Sequence, residues 1–187
     1  MVALLFVSLV LGGTVGERSD LETVQLYRAA INKHDIETAM SLLAEDYKLR
    51  FVGTEFVVSK DSVPRMLGWD TGVNGHVEWE IAKDKTSPLT FEGRETNDFF
   101  QLLGISHLRF RAVFRVNADG KIIEQLYEIH PNQPSWEEAI KPAVAWASQH
   151  RLGELQEIFP NGQIVYTEEM GRRWVALLGE WNSSKSK

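Results

Sequence analysis

The sequence predicts an α+β fold in which helices come first and antiparallel strands follow. Three observations carry that expectation. Apolar residues recur at helical spacing between Leu21 and Leu43, they alternate with polar residues between His76 and His130, and a glycine turn joins the last two extended runs.

Ser19-Asp20-Leu21-Glu22 has the serine-to-glutamate spacing of a capping box. Behind it Leu21, Val24, Tyr27 or Arg28, and Ile31 keep helical spacing until Asn32-Lys33-His34 breaks it. Asp35 is placed to cap a second helix through Met40, Leu42 and Leu43. Tyr47, Leu49 and Phe51 alternate with Lys48 and Arg50, the period of a half-buried strand. Gly53-Thr54 turns the chain into a further extended piece at 55–58. A third helix is expected over 61–69, with Pro64 tolerable in its first turn, and 70–75 reads as a loop.

Strands are expected at 76–81, 90–103, 107–116 and 121–130. Asn117-Ala118-Asp119-Gly120 joins the last two, its glycine free to take a positive φ. Pro131 and Pro134 end the sheet. Ser135-Trp136-Glu137-Glu138 is a second capping box, Pro142 suits the first residue of another helical piece, and a short helix is expected over 152–158. Thr167 can cap a last helix whose apolar face is Trp174, Leu177, Leu178 and Trp181. The tail tryptophans Trp136, Trp146, Trp174 and Trp181 read as anchors for these helices.

With 187 residues, 43% of them hydrophobic and 25% charged, the chain suits one globular domain plus an elaboration. A net charge of −6 without a lysine- or arginine-rich run argues against nucleic acid as a partner. The absence of cysteine removes disulfides, zinc–thiolate sites and thiol nucleophiles. The five histidines are scattered without HExxH spacing, and phosphate loops and GxSxG elbows are missing, so neither metal nor organic cofactor is expected.

Residues 1–16 open with an apolar run from Val2 to Leu11 broken by Ser8. That run is shorter than the roughly 20 residues a spanning helix needs, and no later segment supplies a stable membrane span. It reads as a signal peptide of a secreted or periplasmic protein. The alternative is an N-terminal element packed on the domain, or an overextended start, in a cytoplasmic protein. Asn182-Ser183-Ser184 matches a glycosylation acceptor.

The stretch LYRAAINKHDIETAMSLLAEDYKLRF resembles the opening of the nuclear-transport-factor-2-like (SnoaL-like) superfamily, and FRAVFRVNADGKIIEQLYEI resembles its closing hairpin. The resemblance covers about residues 20–131. It implies a cone domain at 19–131, with a curved antiparallel sheet packed on the N-terminal helices and a polar cavity inside. Residues 132–187 are left as a helical C-terminal extension. The superfamily contains isomerases, dehydratases, cyclases, hydrolases and non-catalytic binding or assembly domains, so the resemblance implies a small-molecule-binding cone without choosing an activity.

Strand parity nominates the lining. If Phe91 and Phe99 point inward, Glu95 and Asn97 do too. Gln125 and Tyr127 share the more apolar face of their strand with Ile123 and Ile129. Trp79 faces in from its strand, and Tyr27 looks in from the first helix. One reading makes Glu95 a general acid/base positioned by Asn97, with Tyr127 or Tyr27 donating to a developing oxyanion; Trp79, Asn97, Gln125 and Tyr27 then contact the ligand. The other makes the same residues a satisfied polar network in the cone.

Three functions follow. One is a cofactor-free isomerase, dehydratase or related acid/base enzyme acting on a small apolar molecule, and the second is a non-catalytic binder of such a molecule. The third is a homo-oligomeric assembly module built on the sheet's outer face and the tail. On that outer face Arg109, Arg111 and Arg115 stand near Glu92, Glu124 and Glu128, where cross-strand ion pairing is expected over anion binding.

Overall fold

A computed structural model describes residues 18–81 and 88–185. The expected signal peptide lies outside the described residues. Along the chain run α1 (Asp20–Asn32), α2 (Ile36–Ser41), β1 (Leu43–Phe51), β2 (Val57–Ser59), α3 (Val63–Gly72), β3 (His76–Ile81), β4 (Leu89–Thr96) and α4 (Asp98–Leu102). They are followed by β5 (Leu108–Val116), β6 (Ile122–Ile129), α5 (Trp136–His150), α6 (Leu152–Ile158) and α7 (Glu168–Ser184). The strands form one curved, unclosed sheet in the order β2-β1-β6-β5-β4-β3. β1 runs parallel to β6, and the other described pairs are antiparallel.

The helix starts follow their capping residues. Ser19 and Glu22 close the capping box of α1, and Asp35 accepts from the Thr38 amide at 3.0 Å to start α2. The corner between them is turned by His34 at φ 56°, the left-handed region. Ser135 and Thr167 cap α5 and α7 in the same way.

Two cores result. The first lies between the inner face of the sheet and α1, where Tyr47, Trp79, Phe91, Phe110 and Phe114 meet Val24, Tyr27 and Ala30. The second gathers Trp69, Phe99, Ile140, Ala147, Ile158, Trp174 and Leu178 from α3, α4 and the three tail helices. α3 contributes to both, with Val63 and Leu67 in one and Trp69 in the other. Where α7 crosses α3, the backbones touch. A Cβ on Gly72 would collide with the Glu168 carbonyl oxygen, and one on Gly171 would come 3.0 Å from the Trp69 carbonyl oxygen. Glycine is required there by the close approach.

Several boundaries differ from the sequence reading, each for a local reason. The extended run expected over 90–103 stops at Thr96, because the Asn97 side chain accepts from the Phe100 amide at 2.7 Å and caps α4. Phe99 is therefore helical and belongs to the second core. α3 continues to Gly72, so Asp70 lies on a helix and not in a loop. β1 begins at Leu43, which had been assigned to the preceding helix. Pro142 sits inside an unbroken α5, where it forgoes one backbone donor. An irregularity opposite Arg115 and Val116 skips Ile123, so Ile122 is the fully buried residue of that stretch.

The outer face carries the expected ion pairs. Arg111 reaches Glu92 at 2.7 Å and Glu128 at 4.0 Å, Arg115 reaches Glu124 at 3.0 Å, and His130 Nε2 lies 2.7 Å from Glu92. Asn182 donates to the Leu102 carbonyl at 2.7 Å and so ties α7 to α4. Its amide is committed to this packing, which argues against its use as a glycan acceptor. No helix among the described residues is long and apolar enough to cross a membrane.

Candidate active site

The inward parity of β4 holds up to Glu95, since Phe91 is fully buried and the alternation runs through Gly93 to the carboxyl. Gly93 has a packing reason of its own. Phe110 on β5 lies across it, and a Cβ there would come 2.6 Å from that ring and 2.6 Å from the Glu78 carbonyl oxygen. The Glu95 carboxyl receives two donors: Asn97 Nδ2 at 3.1 Å to Oε1 and the Tyr127 hydroxyl at 3.2 Å to Oε2. Asn97 is fixed by its capping bond, so the end of β4 and the start of α4 together aim Glu95.

Tyr127 is inward on β6, where it stacks on Phe110 at 4.8 Å and meets Phe51 edge-on at 5.6 Å. Two residues back, Gln125 is buried and accepts from the Tyr47 hydroxyl at 3.0 Å. Tyr47 in turn interacts with Tyr27 on α1. All three of these tyrosines are held above the usual phenol range, first by burial. They act as neutral hydrogen-bonding groups at neutral pH.

A second carboxyl stands beside Glu95. Asp70, in the last turn of α3, has its pKa pushed well above the ordinary carboxylate range by burial and then by the charge of Glu95. Glu95 is also raised by burial, but Tyr127 and Asn97 pull it back by donating to its charged form. The Asp70 carboxyl has no such donor among the described residues. Both carboxyls are thus raised, Asp70 the further of the two.

The residues singled out from sequence divide accordingly. Glu95, Asn97 and Tyr127 form one hydrogen-bonded group, and Gln125 joins Tyr27 through Tyr47. Trp79 faces the same core among Phe91, Phe110 and Phe114, with its indole N–H buried and lacking an acceptor. Such a donor costs about 1–3 kcal/mol if nothing occupies it. Asp70 and Tyr47 were missed. Tyr47 was visible by parity, whereas Asp70 needed α3 to continue one turn beyond its apolar run. A separate open groove of about 370 Å³ lies outside the cone, between α1 and β3, lined by residues including Arg28, Asn32 and His76.

No protein-family model and no curated protein matches the sequence. Solved structures do match. The enzyme SalBIII, described as epoxide hydrolase/cyclase-like, is 12% identical over 61% of this chain and 92% of its own, with a TM-score of 0.51. A cystatin-fold protein from Novosphingobium aromaticivorans is 20% identical over 59% of this chain and 97% of its own, at 0.50. A computationally designed 17-OHP binder is 18% identical over 62% of this chain and 95% of its own, also at 0.50. The chain has the nuclear-transport-factor-2-like (SnoaL-like) fold. At these identities the likeness establishes that fold and nothing finer.

Within the nuclear-transport-factor-2-like cone, the polar groups follow from one layout. The inner faces of β1, β4 and β6 bring Tyr47, Glu95, Gln125 and Tyr127 inward. α1 and α3 cover them with Tyr27 and Asp70. Among the described residues no cluster of histidine, aspartate and glutamate is arranged to hold a metal ion.

Proposed function

We propose that the cone binds a small, largely apolar molecule and moves a proton on it, using Glu95 as the base and Asp70 as the acid. The Glu95 carboxyl, held by Asn97 and Tyr127 with the charge-coupled Asp70 carboxyl near it, carries this reading. Burial and mutual repulsion raise both carboxyls, which favours one of them holding a proton while the other accepts one. Glu95, held by two donors, takes a proton from a carbon beside a carbonyl. The C–H electron pair moves toward the carbonyl oxygen, and the protonated Asp70 stabilises the charge that develops there. Return of the proton from Glu95 to a different carbon completes an isomerisation with no net change in composition. Asn97 positions Glu95, and Tyr127 serves either Glu95 or the substrate oxygen.

The walls suit an apolar substrate with a few polar points. Phe51, Phe110, Phe114 and Trp79 supply the surface, and the unpaired Trp79 N–H offers one further donor. SalBIII is epoxide hydrolase/cyclase-like and the designed protein binds 17-OHP, which supports a cone able to host small molecules.

The test is deuterium exchange into 2-tetralone, an apolar ketone with acidic C–H bonds, followed by proton NMR in heavy water. Exchange above the buffer rate, lost in Glu95→Gln with ligand binding retained, is the expected result. Binding without any exchange above buffer would leave a non-catalytic binder and remove the acid/base reading.

A further inference from the structure

The three solved structures above cover 59–62% of this chain. The tail helices form the second core, and they are packed onto the element that carries Asp70. α7 meets α3 backbone to backbone at Gly72 and Gly171, on either side of which the second core is continuous. The segment leading into α7 contains Tyr166. Its ring stands edge-on to Trp69 at 5.3 Å, and Trp69 is edge-on to Phe99 at 5.6 Å. Trp69 immediately precedes Asp70, and Phe99 lies in the short helix capped by Asn97, the residue that holds Glu95. Tyr166 thus packs on the residue that precedes Asp70, and through it on the helix that Asn97 caps.

We propose that Tyr166 contacts the oxygen-bearing end of the substrate, so that the C-terminal extension forms one wall of the site and sets what the cone accepts. This rests on the carboxyl-pair reading of the site. Two observations support it beyond position. Tyr166 is 45% exposed although it sits beside a tryptophan, and its hydroxyl has no hydrogen-bond partner among the described residues. Burial first, then the carboxyls of Glu137, Glu95 and Asp70, hold its hydroxyl above the usual phenol range. It is therefore a neutral donor within electrostatic reach of the two carboxyls, with its hydrogen-bonding capacity unspent.

The test uses the full chain and two probes, 2-naphthol and naphthalene, titrated by fluorescence against wild type, Tyr166→Phe, Tyr166→Ala and Glu95→Gln. Far-UV circular dichroism and melting of each variant check that it is folded. Loss of one hydrogen bond weakens 2-naphthol by about 2- to 10-fold in Tyr166→Phe, with naphthalene unchanged, and Tyr166→Ala weakens both probes. If both Tyr166 variants bind 2-naphthol like wild type while Glu95→Gln alters it, the inference is overturned and the pocket reading survives. Tyr166→Ala weakening with Tyr166→Phe unchanged also overturns the proposed oxygen contact. If wild type fails to bind either probe, or no variant changes 2-naphthol binding, the pocket reading falls and takes the inference with it.

Discussion

Replacing Gly72 by alanine tests whether the tail is built into the cone. In a helix, alanine is favoured over glycine by at most about 1 kcal/mol. At Gly72 that gain is outweighed. The new Cβ would strike the Glu168 carbonyl oxygen and come within 3.0 Å of its carbon and 3.1 Å of the Arg172 amide nitrogen, all backbone atoms of α7. Backbone cannot swing aside as a side-chain tip can, so α7 must lift from α3 and loosen the contacts of Trp69, Trp174 and Leu178. Overpacking of this kind costs roughly 1–3 kcal/mol. Gly179, on α7 but with nothing within 4 Å of its Cβ position, is the internal control. Gly179→Ala is expected to be neutral or stabilising by up to about 1 kcal/mol. Thermal melts and urea titrations of both variants measure the difference. For a chain of this size, Gly72→Ala should lower the melting temperature by about 2–4 °C per kcal/mol. A Gly72→Ala protein as stable as Gly179→Ala would refute the tight α3–α7 crossing and with it the structural coupling of tail to site.

Other outcomes follow from the same geometry. Because the folded-state pKa of Asp70 is raised, its protonated form favours the native state, an advantage complete below the unfolded value of about 3.9 and lost as pH rises through the folded value. Asp70→Asn should therefore be more stable than wild type on the neutral and alkaline side, with the gap growing by up to about 1.4 kcal/mol per pH unit across that window; a gap independent of pH in urea titrations would count against the raised pKa. Asn97→Ala removes the α4 cap and one donor to Glu95, and should cost about 0.5–2 kcal/mol of stability. It should also slow 2-tetralone exchange; unchanged exchange would show that Asn97 does not position Glu95. Arg111→Ala breaks exposed pairs with Glu92 and Glu128, so it should change stability by less than about 1 kcal/mol, and a larger loss in a melt would mean that the outer face is not simply solvated.

The sequence disclosed much of the cone through signals that act locally. Capping residues at Ser19, Asp35, Ser135 and Thr167 marked helix starts, and alternation through Tyr47, Trp79, Phe110 and Phe114 marked the inner face. Glu95 was found by parity even though one premise failed, because Phe99 turned out to be helical. The alternation from Phe91 alone sufficed. Asp70 was not found. Gly72 and the polar residues after Trp69 looked like a loop, and packing of α7, through Glu168 and Gly171, against Gly68 and Gly72 makes helical continuation favourable there. Tyr166 was not nominated for a related reason, since its ring partner Trp69 lies many residues away and no periodicity joins them. Short-range patterning thus revealed the inner face of the sheet, while the position of Asp70 and the packing of the tail on α3 depended on long-range contacts.

The central claim is that Asp70 and Glu95 act as a charge-coupled acid and base inside the cone. Carbon-13 NMR titration of the two carboxyl carbons in the full chain tests it most directly. The prediction is a pair of coupled transitions above the ordinary carboxylate range, with Asp70 the higher, and a fall in the Asp70 value when Glu95→Gln removes its charged neighbour. Independent titration of both groups near about 4, as for unperturbed carboxyls, would contradict the account.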